Sequence, residues 1–435
     1  MDNLELNNLD NEALEEDVKS QKSSCFLCGS YGPHEHRFNA INQQQFNGLN
    51  YSNDFSNVIN QIEKGDRNQN PPTVVNDSTD IWNSLIDVSN PYINGLLEGV
   101  KWGNIDPDSD MTTELEYSFI NLDDIEIEGL KYSTWTEQEK LPVELALNAF
   151  ENVANISFTQ GADKNLNENN YLEEIYSNST NIGWTIVESQ DGFLGQAFPP
   201  YPDELIGGPL GGLIDINRDY LPADGSYTSP GSYSYLTFTH ELGHALGLKH
   251  PHDTDIISDY GYGSEYPTFP GVEEYSYYDG GDNGLNSTPW TVMTYNDWGA
   301  DNEYAPSYDA SDGFLTTLGA FDIAAIQYLY GPNSTFNSED NIYILNENLN
   351  GFQTIWDSGG IDTIDASSAN GSVAIDLRNA SLLNEEGGGG FVSQVEWEFK
   401  GFTIAYNSTG DVIIENARGS SFDDLIAGNE YNNSL

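Results

Sequence analysis

The sequence predicts an α+β protein in which a sheet packed with helices is followed by an all-β region. Segments 136–153 and 235–250 carry apolar residues at helical spacing. TELEYSFI, residues 113–120, alternates polar and apolar residues as a half-buried strand does. After residue 331 the chain changes to short alternating runs separated by Gly and Asp turns. Such runs predict a second, all-β part.

Composition divides the chain into three predicted regions. Residues 1–90 are rich in Asn, Asp, Gln and Ser and contain an NPP break at 70–72, which favours a mostly disordered leader or pro-segment. Residues 91–331 hold the helical patterns and the first strand, so we expect one mixed domain there. Residues 332–435 are expected to form the all-β carboxyl-terminal domain.

The element boundaries follow from local signals. Thr136 and Glu139 have capping-box spacing, although Pro142 favours a regular helix that begins nearer Leu141. GGLIDIN, residues 211–217, predicts a short strand after a glycine turn. TTLGAFDIAAIQYLYG, residues 316–331, predicts an amphipathic helix.

Charge sets the first limits on function. The 435 residues include 14 Lys plus Arg against 70 Asp plus Glu, a formal net charge of -56. A surface this acidic repels nucleic acid and anionic membranes and attracts divalent cations. The sequence has no apolar run of the roughly 18 residues that a membrane helix needs. We therefore expect no nucleic-acid partner and no membrane insertion.

The most specific signal is HELGHALGLKH, residues 240–250. On a helix His240 and His244 lie one turn apart on the same face, so both imidazoles can reach one ion. Gly247 can end the helix in the left-handed conformation and turn the chain so that His250 becomes a third ligand. Three protein ligands leave coordination positions open, as in a catalytic zinc site.

Glu241 is the expected general base of this site. Beside the open position its carboxylate can take a proton from zinc-bound water, whose pKa is about 7, and deliver it to a leaving amine. Zinc also polarises a scissile carbonyl, so amide hydrolysis follows from this set. Two histidines on a helix are often ordinary residues, but the added G-x-x-H disfavours that alternative.

These motifs together resemble the serralysin branch of the metzincin zinc peptidases. Pro251 directly follows the third histidine, and VMTY places Met293 and Tyr295 downstream as in that family. INGLLEGVKW, FDIAAIQYLYG, WDSGGIDTID and VIIENARGSSFDDLIAGN are similar to serralysin segments in the same order.

The resemblance implies a fold and roles for individual residues. It implies a metzincin catalytic domain, built of a twisted sheet, an active-site helix and a Met-turn at Met293, followed by a β-roll or sandwich-like domain. It implies that Tyr295 is a fifth zinc ligand at rest that swings to stabilise the transition state. GGLIDIN resembles the edge strand along which extended protein or peptide substrates bind.

Calcium is the second expected metal. WDSGGIDT offers carboxylate and carbonyl oxygens around a glycine bend, and solvated hairpin turns are the alternative. GSSFDDLIAGN resembles one degenerate copy of the nonapeptide that forms a calcium-filled β-roll. The resemblance implies these calcium-binding positions: Asp357, Gly359, Gly360, Asp362, Glu415 and Asp424.

Some features depart from the family pattern. His252 stands where the family commonly has glycine, and we expect it to face solvent; a side chain that supports the metal ligands from outside is the alternative. The acidic amino terminus has no signal-peptide pattern and no export tail is recognisable, so an extracellular location is inferred from kinship alone. A zinc- and calcium-dependent monomeric endopeptidase, made as a zymogen, is the expected function. A catalytically silent, calcium-dependent extracellular binding protein on the same scaffold is the alternative.

The leader contains both cysteines of the chain, in SSCFLCGSYGPHEH. One hypothesis is a small separate zinc site formed by Cys25, Cys28, His34 and His36. A second is a labile disulfide between Cys25 and Cys28. A third hypothesis is that one thiolate occupies the open position of the downstream zinc and keeps a zymogen inactive.

Overall fold

The fold is taken from a computed structural model. It describes residues 72–74, 90–103, 112–122, 125–127, 130–167, 180–189, 193–201, 210–254, 267–296, 313–396 and 400–435. Apart from residues 72–74 and 90, the predicted leader, with Cys25, Cys28, His34 and His36, lies outside these residues.

Four α-helices are present in the described residues: α1 (Pro91–Asn94), α2 (Glu137–Val153), α3 (Tyr233–Ala245) and α4 (Ala320–Tyr330). Short 3-10 turns cover Arg218–Tyr220, Ser226–Thr228 and Asp282–Gly284. No helix within this part of the chain has the length and apolar character needed to cross a membrane.

The strands of the first half are β1 (Pro72–Val74), β2 (Val100–Trp102), β3 (Thr113–Leu122), β4 (Ile125–Ile127), β5 (Leu130–Ser133), β6 (Ile156–Gln160), β7 (Lys164–Leu166), β8 (Ile182–Glu188), β9 (Gly195–Ala197) and β10 (Leu213–Asn217). The second half contains β11 (Ile342–Ile344), β12 (Phe352–Ile355), β13 (Thr363–Asp365), β14 (Val373–Asp376), β15 (Ser393–Val395), β16 (Gly401–Ile404), β17 (Asn416–Arg418) and β18 (Leu425–Ala427).

The central sheet is mostly parallel. β3 pairs in parallel with β6, β7 and β8, and β10 continues the sheet beyond β8 in the same direction. β9 pairs antiparallel with β10 and ends the sheet on that side, and β5 and β4 add antiparallel strands at the other end. The mixed α and β content of this region is as predicted.

The predicted role of GGLIDIN as an edge strand is wrong. β10 has β8 on one side and β9 on the other, so its backbone groups are already paired. The edge strand is β9, only three residues long, which lies beside α3.

Helix α2 begins earlier than predicted. The Thr136 hydroxyl accepts a hydrogen bond from the Glu139 N–H, and the Glu139 carboxylate accepts one from the Thr136 N–H, so the capping box is complete. Pro142 therefore lies inside the helix and does not mark its start, because the capped first turn already fixes the helical direction.

The prediction that helix α4 is amphipathic is wrong, because the helix is buried on every side. The Gln327 side chain donates to the Val153 carbonyl at 2.8 Å and accepts from the Ser408 hydroxyl at 2.6 Å. The helix thus joins α2 to the carboxyl-terminal strands, and a single apolar cluster continues through both parts.

The second half is all-β in its described residues, as predicted. β11, β13 and β17 form one parallel sheet, and β12, β16, β15, β14 and β18 form a second sheet in that order. β13 pairs in parallel with β17, and β14 pairs in parallel with β18, so the two strands of each pair run in the same direction.

Candidate zinc site and active centre

Helix α3 supplies the first two histidines of the candidate site. The Ser232 hydroxyl caps the helix by accepting from the Tyr235 N–H at 3.1 Å. At the other end, the Trp102 indole and the Tyr330 hydroxyl donate to the carbonyls of residues 245 and 246, both at 2.8 Å. These bonds satisfy carbonyls that the last helical turn leaves free, so the helix end is fixed.

Gly247 brings the third histidine back to the helix. Its φ is +106°, and a Cβ at this position would lie 2.1 Å from the Val100 carbonyl oxygen. Both the backbone conformation and the space therefore require glycine. After this turn the Nε2 atom of His250 lies 3.1 Å from that of His240 and 2.9 Å from that of His244.

The protonation of the three imidazoles can be read from their other nitrogens. His240 Nδ1 donates to the Val292 carbonyl at 2.8 Å, and His244 Nδ1 donates to the Leu248 carbonyl at 2.9 Å. A carbonyl oxygen can only accept, so these rings carry their proton on Nδ1. Burial lowers the pKa of His240 to about 4, so that ring is neutral.

The arrangement fits a zinc ion. Each neutral ring with a proton on Nδ1 points an Nε2 lone pair at the same small space, where the three nitrogens lie within 3.2 Å of one another. Lone pairs at this separation repel unless a cation lies among them. The three imidazole nitrogens are the donor set of a catalytic zinc, and their carbonyl and carboxylate partners are typical of zinc-bound histidines.

Glu241 lies next to this centre and is fully buried. Neither of its carboxylate oxygens has a hydrogen-bond partner among the described residues. Burial, with the charge of Asp215 on β10, raises the pKa of Glu241 well above its usual range. A carboxylate with a raised pKa and free lone pairs is a strong proton acceptor.

The edge strand β9 makes the space for this carboxylate. A Cβ on Gly195 would lie 2.8 Å from the Glu241 Cγ atom and 2.9 Å from its Oε1 atom. The next side chain, Gln196, turns to the opposite face and donates to the buried Asp215 carboxylate. Glu241 therefore lies directly beside the edge strand, with no side chain between them.

Tyr295 reaches the same centre from the chain that follows Met293. Its hydroxyl oxygen lies 2.7 Å from the Nε2 atom of His250, and its ring contacts that of His250 with centroids 4.7 Å apart. Burial raises the pKa of Tyr295 well above its usual range. The structure thus brings together all five residues that the sequence predicts for the zinc site: His240, Glu241, His244, His250 and Tyr295.

Met293 is fully buried beneath the histidines. A Cβ on Gly243 would lie 2.7 Å from the Met293 sulfur, so the turn packs closely on α3. The Asp322 carboxylate holds this turn: it accepts from the Thr291 hydroxyl at 2.6 Å and from the Val292 N–H at 2.7 Å. Sequence reasoning missed Asp322, for which the only local signal is its place in the first turn of α4.

Asp253 is a second residue that sequence reasoning missed. Its Oδ2 atom lies 2.6 Å from Nδ1 of His250, so a carboxylate orients the third imidazole. The signal for it was its place three residues after the third histidine, in the run HPHD over 250–253. The prediction that His252 faces solvent is wrong, because the side chain is only 1% exposed. Its ring stacks on that of His250, and the loop over residues 267–280 covers it.

The predicted calcium positions form a separate acidic group. Asp362 Oδ1 accepts from the Asn341 N–H, and Glu415 accepts from the Asp362 N–H. Asp362 Oδ2 is buried without a hydrogen-bond partner among the described residues. Burial, with the charges of Asp357 and Glu415, raises the pKa of Asp362 to about 7. Carboxylates that repel one another in this way favour a bound cation.

The remaining predicted positions differ in their surroundings. Gly359 and Gly360 have φ values of +141° and +132°, which bend the chain between Asp357 and Asp362. The Asp424 carboxylate accepts from the Ser420 N–H and hydroxyl, both at 2.7 Å, and from the Val373 N–H at 3.0 Å. A calcium ion at Asp424 would compete with these donors.

Comparison with known proteins gives a consistent result. Residues 115–267 match the Matrixin family of peptidases. The chain is 28% identical over 351 residues to a serralysin of Photorhabdus luminescens, covering 77% of this chain and 62% of the relative. It is 31% identical over 314 residues to a serralysin of Proteus mirabilis, covering 69% and 56%.

A metalloprotease, AprA, of Pseudomonas entomophila is 29% identical over 362 residues, covering 78% of this chain and 63% of the relative. The chain thus spans about three fifths of the length of these relatives.

Proposed function

Because this chain is a serralysin-type metzincin, we propose that it is a zinc-dependent endopeptidase that hydrolyses peptide bonds in extended protein substrates. One observation carries the proposal. The Nε2 atoms of three imidazoles converge within 3.2 Å beside a buried carboxylate that has no hydrogen-bond partner among the described residues.

The residues divide the chemistry among them. His240, His244 and His250 hold the zinc, which when bound polarises the scissile carbonyl and lowers the pKa of water. Glu241 accepts the proton of the attacking water at a carboxylate oxygen and then donates it to the leaving amine. The raised pKa of Glu241 suits both steps, because the carboxylate must first take up the proton and the protonated side chain must then release it.

Tyr295 and the sheet edge position the substrate. The Tyr295 hydroxyl, 2.7 Å from Nε2 of His250, would be a zinc ligand at rest and would donate to the oxygen that gains charge during attack. The outer side of β9 offers its backbone N–H and C=O groups to an extended substrate. Backbone pairing gives affinity with little sequence preference.

Glu241→Gln is the decisive variant. Glutamine keeps the shape of the side chain but cannot accept the proton, so we expect a loss of about 10²- to 10⁴-fold in kcat/KM on casein. Glu126→Gln, on the exposed face of β4, is the matched control and should keep full activity. Zinc content is measured in all three proteins, before and after limited proteolysis of the leader, and a chelator should abolish the activity. A zinc-loaded, leader-free wild type that hydrolyses nothing, or full activity in Glu241→Gln, would refute the proposal.

The alternative, a silent binding protein on the same scaffold, is not favoured. A scaffold kept only for binding gains nothing from burying an unpartnered carboxylate beside three histidines, because such a group destabilises the fold. The cost is understandable if the carboxylate acts in catalysis.

We further propose the finer features that the resemblance implies. Residues 91–331 form the peptidase domain with Met293 in its Met-turn, and 332–435 form a β-roll-like domain. There Asp357, Gly359, Gly360, Asp362, Glu415 and Asp424 supply calcium ligands, with Asp424 the weakest position because its oxygens already accept three hydrogen bonds. The protein acts as an extracellular monomer.

The leader is proposed to keep the enzyme inactive through a cysteine thiolate that occupies the open zinc position. A thiolate is a strong zinc ligand, so uncut protein carrying Cys25→Ser and Cys28→Ser should be more active than uncut wild type. Equal activity of the two uncut proteins in the casein assay would count against this lock.

A further inference from the structure

His252 is enclosed by aromatic rings at the edge of the three-histidine centre. Its ring lies parallel to that of His250, with centroids 5.0 Å apart and 3° between the planes. It also contacts the ring of Tyr295 at 5.0 Å and meets the ring of Tyr277 edge-on at 4.8 Å. The side chain is therefore a junction between a predicted metal ligand and two tyrosines.

Tyr277 completes the enclosure from a neighbouring loop. Its ring stacks on that of Tyr295 with centroids 6.3 Å apart and 23° between the planes. The Tyr275 N–H donates to the His252 carbonyl at 2.9 Å, so this loop is hydrogen-bonded to the residue on which Tyr277 packs. The position of Tyr277 is thus set relative to His252 by the backbone.

Tyr295 consequently has rings on two sides. The rings of His240 and His250 face it from the metal side, with centroids 5.9 and 4.7 Å away. His252 and Tyr277 contact it from the loop, and its hydroxyl remains 2.7 Å from Nε2 of His250. A tyrosine side chain without such neighbours would have other staggered rotamers open to it, in which the hydroxyl would be carried away from the histidines.

We propose that His252 and Tyr277 are positioning residues whose rings hold Tyr295 in the orientation that brings its phenol oxygen to the metal centre. The inference rests on the proposed zinc site and adds to it the residues that set the fifth ligand in place. Each ring contact shifts the population of the held orientation by about two- to tenfold.

The test replaces zinc by Cu²⁺ in the full-length chain, with Cys25→Ser and Cys28→Ser as the background of every protein compared, because a phenolate bound to Cu²⁺ gives a charge-transfer band in visible absorption. The two cysteines are replaced because a thiolate at the open metal position would displace the phenol and give a band of its own. Tyr295→Phe identifies the band by removing it. We expect His252→Gly and Tyr277→Ala to lose at least half of its intensity at equal copper content. His252→Phe keeps a ring at the junction and should retain the band.

Tyr278→Ala is the matched control. Tyr278 is the next residue of the same loop and is 65% exposed, so its loss should leave the band unchanged. If His252→Gly does not bind copper stoichiometrically, Tyr277→Ala decides, since Tyr277 lies on the loop and is only half-buried.

The outcomes separate this inference from the proposed function. A full band in Tyr277→Ala, a lost band in His252→Phe, or no phenolate band in the wild type would overturn the positioning role. Casein hydrolysis by the zinc-loaded wild type, with its leader removed by limited proteolysis, is measured in parallel. An inactive wild type with the expected pattern of bands would overturn the peptidase proposal and leave the positioning role standing.

Discussion

Replacing Asp322 by alanine should loosen His240, the first proposed zinc ligand, through the backbone of residue 292. The Asp322 carboxylate accepts from the Thr291 hydroxyl at 2.6 Å, the Val292 N–H at 2.7 Å and the Gly319 N–H at 2.9 Å. The carbonyl of Val292 in turn accepts from Nδ1 of His240 at 2.8 Å. The carboxylate is fully buried, so no water can replace it directly.

The magnitude follows from these three donors. Alanine leaves each of them buried without its acceptor, and each loss costs about 1 to 3 kcal/mol. We therefore expect Asp322→Ala to lower the free energy of unfolding by about 3 to 9 kcal/mol. Zinc affinity should fall by about 10- to 100-fold, as for other residues that orient a ligand.

Asparagine at this position separates the hydrogen bonds from the charge. Its amide oxygen can accept from both backbone N–H groups, and the Thr291 hydroxyl can rotate to accept from the amide nitrogen. Burial raises the pKa of Asp322 to about 7, so the neutral amide also removes an unfavourable buried charge. Asp322→Asn should therefore cost about 1 kcal/mol or less.

Urea denaturation and zinc competition against a chromophoric chelator measure both effects. Asp411→Ala, at an exposed carboxylate, is the control and should behave as wild type in both assays. An Asp322→Ala protein that loses less than about 1 kcal/mol and binds zinc normally would refute the reasoning. So would an Asp322→Asn protein as damaged as the alanine variant, because the charge would then matter more than the acceptors.

Between pH about 4 and 7 the folded protein keeps a proton on Asp322 that the unfolded chain has released, so this group's contribution to the free energy of unfolding falls as pH rises. Urea titrations at several pH values should show that the free energy of unfolding falls less steeply with pH over this range in Asp322→Asn than in the wild type. An equal fall in the two proteins would contradict a raised pKa for Asp322. Calcium removal by EGTA should lower the melting temperature of the region after residue 331. In Asp362→Asn, EGTA should cause no further decrease in that melting temperature. Calorimetry in which EGTA leaves the wild-type melting temperature unchanged would count against the calcium site. Gly247→Ala should abolish zinc binding, because its Cβ would meet a backbone carbonyl at 2.1 Å. In Gly359→Ala the added Cβ meets nothing within 4 Å, so this variant should lose only about 1 to 3 kcal/mol to backbone strain and bind zinc normally. Equal losses of zinc affinity in a chelator assay, and of unfolding free energy in urea, in the two variants would refute the difference expected between them.

The proposed zinc ligands were predictable from the sequence because their geometry is local. His240 and His244 share one helix, and Gly247 shows where the chain must turn to return His250. The helical spacing and one glycine therefore fix three positions in space with little help from the rest of the fold.

The sheet edge was not predictable in the same way. β9 has three residues, too few for alternation to appear, and its glycine is there because Glu241 fills the space of a side chain. β10 has the stronger apolar pattern because all five of its residues are buried, and the pattern of a buried strand was taken for that of the edge proposed to bind substrate.

His252 shows a second limit of sequence patterns. A histidine after a turn is usually solvated, and only the loop that folds back over residues 267–280 changes this. No periodicity connects His252 to Tyr277, since their contact depends on how a loop returns to the site.

The same reasoning explains why the motif alone does not define the metal centre. The motif supplies Nε2 atoms, but each Nδ1 atom has a partner from a different part of the fold: the carbonyl of Val292, that of Leu248, and the Asp253 carboxylate. These partners decide which nitrogen keeps its proton and therefore whether three lone pairs or three N–H groups face one another. A helix with the same HELGH sequence but without these acceptors could place the rings equally well and still bind zinc more weakly, because each ring would first have to be oriented and change its proton position.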